Sequence, residues 1–181
     1  MPNQQEAPLC FTCGTKMRPA GSCFVCEGCG STQSMLQFVE LTREMMKPSY
    51  VGDINFLLPQ LSKSAELITM EWLDYMFDYG TRLFVALDND KIVGTVLLAA
   101  PMVIFVGQKD WIEDVVVDQS YRRRGIATAL MEMAHKVSRE RGAKSVNLTS
   151  NPDRGGARQM YGDMGYELRD TGVFRLMLLP K

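Results

Sequence analysis

The chain has 181 residues, 46% hydrophobic and 23% charged, with a formal net charge of −1. That length suits one medium domain plus a small module, and the composition excludes a mainly disordered chain. Near-neutrality excludes a global field that would drive the protein onto nucleic acid or a membrane surface, although local basic patches stay open. No apolar run reaches the roughly 18 residues of a membrane span. The longest, Ile92 to Val106, is broken by Gly94, Thr95 and Pro101. The start, Met1-Pro-Asn-Gln-Gln-Glu, lacks the basic and apolar regions of a secretory signal, so a cytoplasmic location without membrane contact is expected.

In chain order, residues 1–9 read as a disordered tail, 10–35 as a Cys/Gly-rich module with its linker, and 36–181 as the main domain. All five cysteines lie between Cys10 and Cys29. A disulfide scaffold would spread them through the fold, and an odd count would leave one over, so metal ligation is the better reading. Cys10-Phe-Thr-Cys13-Gly14 and Cys26-Glu-Gly-Cys29-Gly30 are two Cys-x-x-Cys-Gly knuckles. In such knuckles the glycine turns backbone amides toward the sulfurs, and four thiolates close a tetrahedral zinc site. The pattern resembles a zinc ribbon, with Cys10, Cys13, Cys26 and Cys29 as ligands of a structural Zn2+. Cys23 lies three residues before Cys26, so a Cys23/Cys26 second pair competes. A four-thiolate zinc has no open position, which leaves the ribbon a structural part or a docking surface for protein or nucleic acid.

In the main domain, Leu36 to Leu41 reads as a strand. Asp53 is a candidate cap for a helix carrying Ile54, Leu57, Leu58 and Leu61 on one face, with Pro59 expected to kink it or delay its start. A second helix spans Thr69 to Tyr79 and ends at Gly80. Strands Arg82 to Leu87 and Ile92 to Ala99 meet at Asp88-Asn89-Asp90, a hairpin signal, and Trp111 to Val117 is another strand. A long helix from Arg124 to Arg141 buries Ile126, Leu130, Met133, Ala134 and Val137. Ser145 to Thr149 is a strand, and Arg154 to Met164 a helix that Asp153 could cap. Strands Tyr166 to Arg169 and Phe174 to Leu179 close the chain. The fold class is α+β, a mixed sheet with helices on both faces.

The segment with most chemical content is Arg122-Arg123-Arg124-Gly125-Ile126-Ala127, between a strand and a long helix. Small residues there let an anion approach the backbone. The first-turn amides and the helix dipole then favour negative charge, and three arginines add to the bias. The ending of a Walker A loop and the full Gly-x-Gly-x-x-Gly of dinucleotide sites are both missing. On these residues alone, a capped helix start with a solvated basic run fits as well.

The segment resembles the Gln/Arg-x-x-Gly-x-Gly/Ala signature of the GNAT acetyltransferases, matched by Arg122, Gly125 and Ala127. The resemblance extends to Trp111-Ile-Glu-Asp-Val-Val-Val-Asp118 as the splayed central strand and to Asn147-Leu-Thr-Ser-Asn151 as the next one. It continues through Ala157-Arg-Gln-Met-Tyr161-Gly-Asp-Met-Gly165-Tyr166 and, upstream, the hairpin ending in Ile92-Val-Gly94. It implies a GNAT fold, a central mixed and mostly antiparallel sheet, over residues 36–181, and an N-acetyltransferase that moves acetyl from acetyl-CoA to an amine in a ternary complex. It implies that backbone of Val115, Val116 and Val117 pairs with the pantetheine arm, that amides of Arg123 to Thr128 hold the pyrophosphate, and that Asn151 contacts the cofactor.

Tyr161 matches the family's acid, which protonates the departing thiolate; helical spacing with Ala157, Met160 and Met164 also suits a core residue. Glu113 is the base candidate, or else a salt-bridged carboxylate. Strand alternation puts it on the side of Val115 and Val117, with Asp114 opposite and structural. The Ile112-Glu113-Asp114 triplet resembles that of the glucosamine-6-phosphate acetyltransferases. His135 lies mid-helix and is not expected to be catalytic. Where the family has an asparagine seven residues before the tyrosine, this chain has Arg154, which could bind the cofactor's 3′-phosphate or be solvated. A non-catalytic GNAT-like module recruited by the ribbon is the alternative function, and a homodimer is compatible with the chain. The acceptor amine is not assigned.

Overall fold

The computed structural model describes residues 7–10, 12–21, 23–103 and 107–178. Residues 1–6 of the expected tail and the last residue of the final expected strand, Leu179, lie outside the described residues. The chain forms two compact units, Met1–Leu148 and Thr149–Lys181.

In the first unit the elements run β1 (Arg18–Ala20), β2 (Cys23–Val25), β3 (Thr32–Ser34), β4 (Gln37–Leu41), α1 (Pro48–Leu61), α2 (Met70–Asp78), β5 (Arg82–Asp88), β6 (Lys91–Ala99), β7 (Met102–Val103), β8 (Gly107–Gln108), β9 (Asp110–Val117), α3 (Ile126–Glu140) and β10 (Val146–Asn147). The second unit contains α4 (Gly155–Asp163). β1, β2 and β3 form a small antiparallel sheet. Its core is slight: Cys10, Met17, Phe24 and Cys26, with Ala7 and Met35 against them.

The main sheet has the order β10-β9-β6-β5-β4. β4, β5, β6 and β9 are antiparallel neighbours, and β10 runs parallel to β9. Against one face Tyr50, Ile54 and Leu57 of α1 and Leu73 and Met76 of α2 pack on Leu83, Val85, Leu87, Ile92 and Val116. α3 packs on β5, β6 and β9, and one contact shows why it fits so closely. A Cβ on Gly94 would meet Ile126 Cγ2 and Val117 Cγ2, each at 3.2 Å, so β6 carries glycine where the start of α3 crosses the sheet.

Several boundaries differ from those read in the sequence, each for a local reason. α1 begins at Pro48, where a missing N–H costs nothing in the first turn. Asp53 is therefore not a cap; its carboxylate instead accepts the Ile92 amide at 2.9 Å. Pro59 falls in the last turn, and the helix runs only two residues further, ending with Ser62 N–H on the Leu58 carbonyl. Thr69, expected as the first residue of the second helix, is instead the cap of α2, accepting from Trp72 N–H at 3.1 Å. The hairpin turn uses Asn89 at φ 47° and Asp90 at φ 66°, residues that tolerate the left-handed region. α3 starts at Ile126 rather than Arg124; its buried stripe adds Met131 and Ser138 to the expected residues, while Met133 is only half-buried. β10 is two residues long, not five.

In the second unit Asp153 does not cap α4. Arg154 is the N-cap residue and its side chain makes no cap bond to the helix, while Asp153 N–H turns back to Asn151 Oδ1 at 2.9 Å. The two closing strands are absent among the described residues, which are irregular from Tyr166 to Leu178. Leu168, Val173, Phe174, Leu176 and Leu178 are exposed there. Alternating apolar residues favour a strand only when another edge pairs with them, and the described residues of this unit form no strand. Among the described residues, no helix is long and apolar enough to cross a membrane.

Candidate functional site

β9 is where the sheet stops being regular. Glu113 pairs with Leu97, but Val116 pairs with Thr95, so β9 has one residue more than β6 over this stretch. The extra residue is accommodated at Asp114, whose φ of 48° is left-handed, and Thr95 Oγ1 holds the bulge by donating to the Asp114 carbonyl at 3.1 Å. The bulge breaks the two-residue period and corrects the expected alternation. Directly opposed residues share a face. Glu113 therefore lies with Leu97 and Val116 on the α1–α2 side, while Val117 pairs with Gly94 on the α3 side. Aspartate is among the few residue types that enter the left-handed region readily, the one sequence signal that could have marked the bulge.

The bulge coincides with a splay. β10 pairs with β9 only at Asp110 and Trp111. From Ile112 to Val117, no described strand covers that edge of β9. Its end is tied down by Asp118 N–H on the Val93 carbonyl at 2.9 Å. The buried Asp118 carboxylate, against the cost of its burial, is held below the usual range by Ser120 N–H at 2.8 Å and Ser120 Oγ at 2.7 Å, with Lys91 and Arg122 adding positive charge.

The chain then turns through two left-handed residues, Arg123 at φ 63° and Gly125 at φ 72°, into α3. Alternating handedness of this kind aims successive amides into one concavity. The helical ladder begins with Ala129 N–H on the Gly125 carbonyl, so the amides of Ile126, Ala127 and Thr128 face out of the helix start. No atom lies within 4 Å of a Cβ built on Gly125. Open space, outward amides and the positive end of a 15-residue helix converge there.

The three arginines divide their work. Arg122 Nε donates to the Val117 carbonyl at 3.0 Å, and Arg124 donates to the Ser120 carbonyl at 2.9 Å while its guanidinium lies 4.8 Å over the Tyr121 ring. Two of the three thus brace the turn itself, and the exposed Arg123 is the left-handed residue between them. Tyr121 donates its hydroxyl to Asp88 Oδ2 at 2.6 Å, and that carboxylate pushes the phenol up to about 12.

Glu113 and Asp114 keep exposed surface, yet both carboxyls are raised. Partial burial is the main cause for each, and the neighbouring Asp114 charge adds to it at Glu113. The second unit holds the other two expected residues. Tyr161 is buried on α4, with the Tyr166 ring edge-on at 5.9 Å. Burial raises its phenol, and Arg154 partly offsets this. Asn151 is engaged in its own turn, accepting Asp153 N–H on the side chain and Arg154 N–H at 3.0 Å on the carbonyl. His135 on α3 is lowered, mainly by burial.

The sulfur atoms of Cys10, Cys13, Cys26 and Cys29 lie within 4.8 Å of one another. Sulfurs about 2.3 Å from a tetrahedral zinc are roughly 3.8 Å apart, so the set fits the ion. The two knuckles repeat one backbone pattern. Cys10 N–H donates to the Thr15 carbonyl and Gly14 N–H to the Cys10 carbonyl; Cys26 N–H donates to Ser31 and Gly30 N–H to Cys26. Gly14 and Gly30 both sit at φ 72°. Ser31 Oγ lies 3.0 Å from both Cys10 and Cys29, and its bond is the main cause bringing the Cys10 thiol down to about 5. Cys23 belongs to β2 and lies outside the cluster.

A bulged central strand, splayed from its parallel neighbour and running through an amide nest into a helix, is the architecture of the GNAT fold. The chain belongs to the acetyltransferase (GNAT) family, whose model matches residues 43–166. It is 31% identical over 106 residues to N-alpha-acetyltransferase 30 of Schizosaccharomyces pombe, covering 54% of this chain and 71% of that one. Its structure resembles that of a Trypanosoma brucei acetyltransferase at 26% identity and a TM-score of 0.66, over 80% of this chain and 100% of that one. A separate short match is 85% identical over 27 residues to the vitamin B12-dependent ribonucleotide reductase of Streptantibioticus cattleyicolor. It covers 15% of this chain, which spans only 4% of that enzyme's length.

Proposed function

We propose that the protein transfers acetyl from acetyl-CoA to a primary amine by direct attack in a ternary complex. The observation that carries this reading is the continuity of the open β9 edge with the nest at Gly125. One linear cofactor could pair its pantetheine amides with the backbone of Val115, Val116 and Val117, as an added strand does, and rest its pyrophosphate on the amides of Arg123 to Thr128. Asn151 is a further cofactor contact in this reading. Residues 36–181 form the enzyme domain, and residues 10–35 a ribbon stapled by a structural zinc. We place the protein in the cytoplasm. The polypeptide α-amine is the acceptor to test first, because the Schizosaccharomyces pombe relative is named for that chemistry. Membership of an enzyme family disfavours the purely non-catalytic module.

In this reaction the amine nitrogen attacks the thioester carbonyl carbon, the C–S bond breaks, and the thiolate leaves. Glu113 takes the proton from the amine, and Tyr161 gives one to the thiolate. Both raised pKa values suit these roles. The Tyr161 phenol stays protonated at neutral pH. The Glu113 carboxyl becomes a base only above its raised pKa, so activity should fall on the acid side through a point above the ordinary carboxylate range. Glu113→Gln should remove that acid limb; a limb unchanged in the variant rules Glu113 out as the base. Tyr161→Phe should lower kcat on the order of 100-fold with little change in the acetyl-CoA KM, the size expected for loss of a general acid. Turnover by Tyr161→Phe at the wild-type rate at every pH would remove the acid assignment.

The test of the whole reading is acetyl-CoA turnover on a panel of peptide α-amines, amino sugars and polyamines. Thiol release that depends on the amine supports it. Tight acetyl-CoA binding with no turnover on any amine contradicts it.

A further inference from the structure

The carboxylate of Asp88 ends β5 and joins three parts of the first unit. Ser34, the last residue of β3 in the ribbon, donates its hydroxyl to Asp88 Oδ1. Asn89 Nδ2 shares that oxygen at 3.0 Å, and Tyr121 donates to Oδ2 at 2.6 Å. Tyr121 stacks under Arg124 at 4.8 Å, and Arg124 ties back to the Ser120 carbonyl at 2.9 Å. Arg124 is the residue before Gly125. A continuous path therefore runs from the ribbon to the helix start through one carboxylate, two hydroxyls and a guanidinium. The hairpin that presents Asp88 is itself fixed, since Asp90 accepts from Lys47 at 2.7 Å and Tyr50 at 2.5 Å on α1.

The ribbon end of this path depends on metal. Two of the four residues in the ribbon core are the cysteines Cys10 and Cys26. Without an ion nothing links the four sulfurs, and the remaining core is too small to hold three-residue strands. β3 has no neighbour in its sheet except β2, with Ser34 opposite Cys23.

We propose that Asp88 is a positioning residue that transmits the metal state of the ribbon to the order of the turn 119–128. With zinc bound, Ser34 and Tyr121 hold the carboxylate between them and the turn is fixed. With zinc lost, Ser34 leaves and Tyr121 is held less well. If the acetyl-CoA reading above is right, on which this consequence rests, zinc loss also weakens cofactor binding.

The experiment uses the full chain, zinc-loaded and stripped by a chelator, in wild type, Asp88→Ala and Tyr121→Phe. Two quantities are read: hydrogen exchange at amides 119–128, and the acetyl-CoA Kd. In wild type, stripping should speed exchange roughly tenfold, the scale of one charge-assisted hydrogen bond, and raise Kd by a similar factor. In Asp88→Ala and Tyr121→Phe the turn should exchange fast whether or not zinc is present, because the path is already cut. Tyr121→Phe keeps the ring beneath Arg124, so it reports the hydroxyl link without a packing change. Unchanged exchange on stripping in wild type overturns the proposal. So does an acceleration of equal size in all three proteins. Coupled exchange in a wild type that binds no acetyl-CoA supports the path and defeats the cofactor reading alone.

Discussion

Gly125→Asp should abolish acetyl-CoA binding, raising Kd by at least about 100-fold, with only a small loss of thermal stability. Two physical effects separate here. The backbone at φ 72° costs an ordinary L-residue about 1–2 kcal/mol, and aspartate less than most. The free protein meets no clash, since nothing lies within 4 Å of the new Cβ. A bound pyrophosphate, however, would share that space with a carboxylate at the helix N-terminus, where side chain and ligand compete for the same amides. Gly125→Asn is the control, with the same shape and left-handed tolerance but no charge. It should bind acetyl-CoA measurably more tightly than Gly125→Asp. Calorimetric titration gives Kd, and a thermal melt gives the stability arm. Equal Kd for wild type and Gly125→Asp would place the cofactor elsewhere.

Removing the metal should unfold the ribbon outright and leave the main sheet standing. Structural zinc contributes on the order of 10–16 kcal/mol in small finger peptides, more than a four-residue core can replace. Cys26→Ser should therefore lose the ion and the native exchange protection of β1–β3. The sheet of β4, β5, β6, β9 and β10 with its helices keeps its own core, with Leu57, Val85, Val116 and Leu130 wholly or almost wholly buried, and should melt as a cooperative unit. Cys23→Ser should retain about one zinc per chain, because its sulfur lies outside the four-sulfur cluster. Metal analysis after gel filtration reads both variants. Loss of zinc from Cys23→Ser and its retention in Cys26→Ser would reverse the ligand assignment.

The readability of this fold from its sequence follows the range of the forces involved. Short-range signals were reliable for turns and less so for caps, since neither Asp53 nor Asp153 caps its helix. The hairpin at Asp88-Asn89-Asp90 and the end of the second helix at Gly80 each report one local backbone need. The knuckles were legible for the same reason, because Cys-x-x-Cys-Gly encodes a turn and its ligands together. Long-range pairing was not. The strands expected at the carboxy terminus depend on a partner edge that no local pattern reveals. The bulge at Asp114 arises from register against β6, so period-two reasoning put Glu113 with Val117 when the two lie on opposite faces. Arg122 and Arg124 also hold the backbone carbonyls of Val117 and Ser120, a use that their charge alone did not announce. Asp88 gave no signal at all, because an aspartate at a hairpin end is ordinary and its partners are 54 and 33 residues away.

The central claim is that the amides of the turn at Gly125 receive the pyrophosphate of acetyl-CoA. Backbone amide NMR on the labelled full chain, titrated with acetyl-CoA, tests it most directly. The account predicts large downfield shifts and slowed exchange at Gly125 to Thr128, with a second group at Val115 to Val117. Binding that leaves those amides unmoved and shifts a different set would contradict it.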